Sequence, residues 1–112
     1  SSAASDVYKR QVADTLRTSV RSYDIVGRIG GDEFVVYLSN VTDRQNAMAV
    51  AEKLCQVIRG LSTMKKEWSN ISASIGISFA DHPDIKMEEL YISADKAMYS
   101  AKGNGRDQYQ TL

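Results

Sequence analysis

Two glycines followed by two acids form the cluster most suited to chemistry in this sequence, Gly30-Gly31-Asp32-Glu33-Phe34. Glycine has no Cβ, so the backbone could approach the phosphates or sugar of a ligand closely at this point. Adjacent carboxylates could hold Mg²⁺, a hard cation that prefers carboxylate oxygens together with substrate phosphates. The alternative is a glycine turn with two solvated acids, because neighbouring side chains of a regular strand point to opposite faces. The residues alone leave both interpretations open.

The elements around this cluster predict a hairpin between two helices. Residues 24–29 and 32–38 are rich in β-branched and aromatic side chains, and the glycines between them suit a tight turn. Apolar residues recur at helical spacing in residues 12–22. After a loop at residues 39–43, a second amphipathic helix is predicted to end at Gly60.

The second half of the chain predicts a strand, a helix and a short edge strand. Residues 61–70 are polar and indicate a surface connection, and residues 71–79 alternate apolar and small polar side chains, as a half-buried strand does. Helical spacing then runs from Met87 to Ala101 and ends at Gly103-Asn104-Gly105, before a short strand at residues 106–109. Three helices and about four strands predict an α+β fold, with helices covering an antiparallel or mixed sheet.

The sequence resembles the GGDEF family of diguanylate cyclases over residues 12–109. Besides the pentapeptide, the resemblance includes Arg28, the strand at residues 74–77, the segment ADKAMYSAK at residues 94–102 and Gly105-Arg106. These separate matches follow one another in the order of the family. The resemblance implies a fold of the nucleotidyl-cyclase type, similar to palm and ferredoxin-like domains, in which helices flank a sheet.

The resemblance also implies an activity and its residues. Two facing copies of the domain, each with one GTP, would form cyclic di-GMP and release pyrophosphate. Asp32 and Glu33 match the acids that bind Mg²⁺ or Mn²⁺, and Asp32 also matches the base that takes a proton from the attacking 3′-hydroxyl. The family's nucleotide contacts match Gly30, Gly31, Lys102 and Arg106, the last two being its basic pair on the GTP phosphates. If the resemblance is set aside, the simpler interpretation of Lys102 is a cation that interacts favourably with the C-terminal end of a helix dipole.

A second cluster, Arg21-Ser22-Tyr23-Asp24, precedes the hairpin glycines by five residues. As a bare pattern, an arginine and an aspartate at this spacing usually form a surface ion pair. The resemblance instead implies the family's inhibitory site for the product. The planar guanidinium of Arg21 can grip a phosphate or a guanine edge, and Asp24 can accept from guanine N–H groups. Product bound there would favour an unproductive arrangement of the protomers.

The beginning of the chain departs from the family. The family's first strand, with another metal-binding Asp, and its helix with a guanine-reading Asn are not found in the sequence. Asp6 falls where the family has an Asp that contacts guanine, but Ser5 replaces the preceding glycine. Residues 6–11 match one reading frame of a transposon end used in DNA library preparation. We therefore expect residues 1–11 to be non-native read-through, and residues 12–112 to be a partial domain, truncated at its N-terminus and inactive by itself.

Composition argues against several other classes of protein. The 14 basic and 14 acidic residues give zero net charge, whereas binding to a nucleic-acid polymer needs an excess of Lys and Arg. The apolar run at residues 34–38 is too short to span a bilayer. One cysteine and no visible secretory signal predict a cytoplasmic domain, and the resemblance implies a sensor or regulatory domain, with or without a membrane anchor, elsewhere in the full-length protein.

Two other functions stay open beside the cyclase. One is a catalytically inactive module of the same fold that binds cyclic di-GMP or GTP, using Arg21 and Asp24. The other is a structural or dimerising domain without a nucleotide. Among the remaining residues, Cys55 is predicted to pack inside a helix and His82 to be exposed, while Trp68 reads equally well as a lid or as an interface anchor.

Overall fold

The computed structural model describes residues 3–112, with side chains from Asp6 onwards. This part of the chain forms three α-helices and four strands. They are α1 (Ala3–Ser19), β1 (Ile25–Gly30), β2 (Glu33–Tyr37), α2 (Arg44–Leu61), β3 (Ser74–Ile77), α3 (Met87–Gly103) and β4 (Gln108–Thr111), with a short 3₁₀ helix at Lys66–Trp68. Within residues 3–112, no helix is both long enough and apolar enough to cross a membrane.

The four strands form two separate pairs. β1 and β2 make the predicted antiparallel hairpin, with Ile25 opposite Tyr37 and a register shift between Arg28 and Gly30. β3 and β4 are parallel, with Ser74 opposite Gln108. The predicted α+β class is confirmed, and the strands include both antiparallel and parallel neighbours. In the described residues, however, these neighbours lie in two two-stranded sheets and not in one.

The first helix differs from its predicted limits at both ends. We predicted it over residues 12–22, whereas α1 already runs from residue 3 and ends at Ser19. The early part is helical and packs on the core, where Tyr8 and Val12 contact a buried cluster. The helix stops before Arg21 because the backbone N–H of Arg21 donates to the Asp24 carboxylate in a turn instead.

Helix α2 supplies most of the core. Asp43 begins it by accepting a hydrogen bond from the backbone N–H of Gln45 (2.9 Å), as an N-cap does. Its apolar stripe is buried, and the predicted packing role of Cys55 is confirmed because that side chain is fully buried. The buried positions are Ala47, Ala51, Leu54, Cys55, Ile58 and Leu61. The helix ends at Leu61, one residue after the predicted end at Gly60.

The surface connection predicted for residues 61–70 is wrong at Trp68. This side chain is 5% exposed and packs with Ile58 and Leu61, so it is a core residue and not a lid. The polar residues around Trp68 indicated a surface segment, so this contact was not predicted. A single large aromatic side chain can nevertheless bury enough apolar surface to join the core. His82 is exposed, as predicted.

The last three elements pack closely on one another. β3 is shorter than the predicted 71–79, because only four residues pair with β4. Gly76 lets the backbone of α3 approach, since a Cβ on Gly76 would lie 1.8 Å from the carbonyl oxygen of Ala94. β4 starts two residues later than predicted, because Arg106 and Asp107 have φ values of 64° and 50°, which interrupt extended backbone.

Candidate active site at the hairpin tip

The tip of the β1–β2 hairpin is an open glycine turn. Gly31 has a φ of 54°, in the left-handed region that glycine adopts at low cost. The Nε of Arg28 donates a hydrogen bond to the carbonyl oxygen of Gly31 (3.0 Å), which stabilises the turn. A Cβ on Gly30 or Gly31 would meet no atom within 4 Å. The backbone at this tip is therefore open, which both interpretations of the glycines allow.

Asp32 lies in the turn and contacts the first helix. Its Oδ1 accepts a hydrogen bond from the Tyr8 hydroxyl (2.7 Å) and lies 3.9 Å from the Lys9 ammonium. The Asp32 side chain is still 72% exposed, so these contacts do not bury the carboxylate. Both partners belong to the segment that sequence analysis expects to be non-native.

Glu33 begins β2 and contacts the third helix. Its Oε1 accepts a hydrogen bond from the Tyr91 hydroxyl (2.7 Å). This bond, together with desolvation of the phenol and the nearby negative charge, raises the pKa of Tyr91 to about 12. Tyr91 therefore stays a neutral hydrogen-bond donor across the physiological pH range. Tyr91 lies within the helix predicted from Met87 to Ala101, but this contact was not predicted.

The two acids are held by different helices. Asp32, in the turn, contacts α1, whereas Glu33, the first residue of β2, contacts α3. Within residues 3–112, no group of three or more acids, histidines and cysteines is arranged to hold a metal. Two carboxylates nevertheless fit a hard divalent cation, because Mg²⁺ commonly takes one or two carboxylates and completes its shell with phosphate oxygens and water.

The predicted basic pair does not share a helix face. Lys102 is on the last turn of α3 with its ammonium 5.7 Å from the Tyr99 ring centroid, whereas the helix ends at Gly103 and Arg106 follows in the left-handed region. The Arg106 N–H donates to the carbonyl oxygen of Ala101 (2.9 Å), which fixes this turn. Both side chains are exposed.

The next residue pins the same turn to α2. The Asp107 carboxylate accepts two hydrogen bonds from the Arg59 guanidinium, at 2.8 and 3.1 Å. Such a bidentate pair sets direction as well as distance. Arg106 therefore lies in a loop that the Arg59–Asp107 pair fixes to α2, and not on a face of α3.

The second cluster, Arg21 to Asp24, forms a compact turn. The Asp24 carboxylate accepts from the backbone N–H of Arg21 and from that of Ser39, both at 2.9 Å. The Arg21 guanidinium instead donates to the Tyr23 hydroxyl, and this bond raises the pKa of the arginine. Arg21 and Asp24 therefore do not form the surface ion pair that the bare pattern suggests. The Asp24 carboxylate binds backbone N–H groups, and the exposed Arg21 guanidinium lies beside the Tyr23 phenol.

The described surface also has an open groove of about 470 Å³ between the end of β2 and the loop before α3. Its lining includes Tyr37, His82, Met87 and Leu90, and it contains no residue of the predicted site. Chemistry by the motif residues would therefore take place at the exposed hairpin tip.

The fold and the site together define a class of protein. It is an α+β domain in which a hairpin between two helices carries two glycines and two acids at its tip. A family model described as "Diguanylate cyclase, GGDEF domain" matches residues 3–108. The chain therefore belongs to the GGDEF family.

Proteins similar to this chain carry cyclase names. The chain is 39% identical over 104 residues to a bifunctional diguanylate cyclase/cyclic di-GMP phosphodiesterase, MucR, of Pseudomonas aeruginosa, covering 93% of the chain and 15% of the relative. It is 37% identical to diguanylate cyclase A of Treponema denticola over 109 residues, covering 95% of the chain and 29% of the relative. The chain thus spans less than a third of the length of either protein.

Solved structures support the fold. An EAL/GGDEF domain protein from M. capsulatus has a TM-score of 0.77 and 39% identity, covering 94% of this chain and 68% of that one. The active GGEEF domain of a diguanylate cyclase from Vibrio cholerae has a TM-score of 0.78 and 27% identity, covering 96% and 69%.

Proposed function

We propose that this chain is part of the catalytic domain of a diguanylate cyclase, which condenses two GTP molecules into cyclic di-GMP and releases pyrophosphate. The observation that carries the proposal is the complete Gly-Gly-Asp-Glu-Phe tip, open to a ligand and with both acids present. A binding module has no chemical need for both acids, whereas phosphoryl transfer uses carboxylates for proton transfer and for metal binding.

In the proposed reaction, Asp32 accepts the proton of the attacking 3′-hydroxyl. The 3′-oxygen of one GTP forms a bond to the α-phosphorus of the other, and the bond from that phosphorus to the pyrophosphate oxygen breaks. Glu33 joins Asp32 in holding Mg²⁺ or Mn²⁺, which when bound would activate the 3′-oxygen and offset charge on the α-phosphate and the pyrophosphate. In the second transfer, the 3′-oxygen of the second GTP forms a bond to the α-phosphorus of the first. A second pyrophosphate leaves, and the ring is closed.

The remaining site residues would bind and orient the nucleotide. Gly30 and Gly31 let the nucleotide approach the backbone, and Lys102 and Arg106 offset the negative charge of its phosphates. One chain supplies one GTP site, so two domains must face each other. Correct placement of the two substrates supplies much of the rate, because little covalent chemistry is left to the protein. A homodimer is therefore part of the proposal.

Product feedback at the Arg21–Asp24 turn is a further part of the proposal. The exposed Arg21 guanidinium would grip a phosphate or guanine of cyclic di-GMP. Asp24 already organises the turn and would accept from guanine with its remaining lone pairs. The proposal also places the domain in the cytoplasm, together with a sensor or regulatory domain elsewhere in the full-length protein.

The alternative is a module that binds cyclic di-GMP or GTP without turnover. One observation favours it: each motif acid accepts from a tyrosine, and the two tyrosines come from different helices. In that case Arg21 and Asp24 would carry the function, and the acids would only brace the hairpin.

The test is cyclic di-GMP formation from GTP by the full-length protein carrying this chain. We expect Asp32→Ala and Glu33→Ala to lower turnover by about 100-fold or more while product binding is kept. Asp84→Ala, which removes an exposed acid from the loop before α3, is the matched control and should retain turnover. Arg21→Ala should weaken product inhibition. An inactive wild-type protein that still binds product would establish the alternative.

A further inference from the structure

Tyr91 is held in place by the packing of α3. The hydroxyl of Ser78 donates to the carbonyl oxygen of Leu90 (2.6 Å), next to Tyr91 in the chain. Further along the helix, Ala97 and Ala101 are fully buried, and Gly76 leaves no space between β3 and the backbone at Ala94. The base of the Tyr91 side chain is therefore fixed by the rest of the domain.

The phenol of Tyr91 connects this fixed helix to the hairpin tip. Its hydroxyl donates to Oε1 of Glu33 at 2.7 Å, across 58 residues of sequence. The hydroxyl is the donor in this bond, because an ionised carboxylate can only accept. A free glutamate at the start of a strand samples several rotamers, and this bond selects one of them. One carboxylate oxygen is thereby engaged, and the other can serve a ligand.

We propose that Tyr91 is a positioning residue for Glu33, and that it fixes this carboxylate for the divalent cation of the GTP complex. The inference rests on the proposed function, in which Glu33 helps to hold the metal. Carboxylates that bind metals are generally oriented by hydrogen bonds from a second set of residues, and losing such a bond typically lowers metal affinity or activity by about 10–100-fold. Tyr91 is the residue of α3 that makes this bond.

The variant that tests the inference is Tyr91→Phe in the full-length protein, since it removes one oxygen and keeps the ring. Tyr37→Phe is the matched control, because it makes the same change at the far end of β2, where the hydroxyl has no hydrogen bond within the described residues. Two quantities are measured: the Mg²⁺ concentration that half-saturates cyclic di-GMP formation, and the affinity for Mn²⁺ in the presence of a non-hydrolysable GTP analogue, by electron paramagnetic resonance.

We expect Tyr91→Phe to raise the half-saturating Mg²⁺ concentration and to weaken Mn²⁺ binding, each by about tenfold, and Tyr37→Phe to change neither. In a Glu33→Gln background, Tyr91→Phe should have no further effect on Mn²⁺ affinity. Circular dichroism verifies that each variant is folded. A purely structural tyrosine would lower the unfolding midpoint and leave the metal affinity unchanged.

The outcomes separate the two proposals. An active wild-type protein whose Tyr91→Phe variant has unchanged metal affinity overturns the role of Tyr91 alone. An equal loss of Mn²⁺ affinity in the Glu33→Gln background also overturns it, because the effect then does not pass through Glu33. A wild-type protein that neither makes cyclic di-GMP nor binds the Mn²⁺–nucleotide complex overturns the proposed function, and the role of Tyr91 with it.

Discussion

The contact between β3 and α3 leaves no room for a side chain at Gly76. A Cβ there would lie 1.8 Å from the carbonyl oxygen of Ala94 and 2.4 Å from the backbone nitrogen of Met98. Since ordinary contacts of this kind begin near 3.5 Å, Gly76→Ala requires the helix backbone to move by about 1.7 Å. Overpacking usually costs about 1–3 kcal/mol. Because backbone and not a flexible side chain must move, we expect about 3 kcal/mol, a large part of the stability of a small domain.

The assay is urea unfolding followed by the fluorescence of Trp68, which is the only tryptophan and is buried against α2. With a slope of about 1.5 kcal/mol per molar urea, a loss of 3 kcal/mol lowers the unfolding midpoint by about 2 M. Gly60→Ala is the control with the opposite sign. Gly60 lies within α2 with open space around it, so alanine there should stabilise the protein by about 0.5–1 kcal/mol. A Gly76→Ala protein within about 0.5 kcal/mol of wild type would refute the close approach of α3, given that neutral surface changes fall in that range.

Two further predictions concern α2. Burial and the nearby charge of Asp107 raise the pKa of Cys55 to about 11. Alkylation of the native protein at pH 8, followed by mass spectrometry, should therefore be far slower than alkylation of the urea-unfolded protein. Equal rates would contradict the burial of this thiol. Because the folded-state pKa lies above that of an unfolded thiol, this residue's contribution to stability is complete below about pH 9 and is lost as the pH rises towards 11. Asp43→Ala removes the acceptor for the N–H of Gln45 and should lower the free energy of unfolding by about 1 kcal/mol, while Asp43→Asn, which keeps an acceptor, should retain most of it in the same urea assay.

The candidate site could be predicted from the sequence where its residues are neighbours in the chain. The glycine turn and its two acids occupy consecutive positions, and the motif placed them at a hairpin tip that the structure contains. The contacts of those acids could not be predicted in the same way. Tyr8 and Tyr91 are 24 and 58 residues from their partners in the sequence. Helical periodicity predicts on which face of a helix a tyrosine lies, but not which distant residue it contacts.

The sequence by itself determined the elements whose cause is local. The glycine-containing hairpin, the N-cap at Asp43 and the apolar stripe of α2 each depend on residues within a few positions of one another. Tertiary structure alone decided the parallel pairing of β3 with β4, the burial of Trp68, the bracing of Asp107 by Arg59 and the bond from Tyr91 to Glu33. These contacts join distant parts of the chain, and their geometry depends on how helices pack on strands, a property that no local pattern of residue types records.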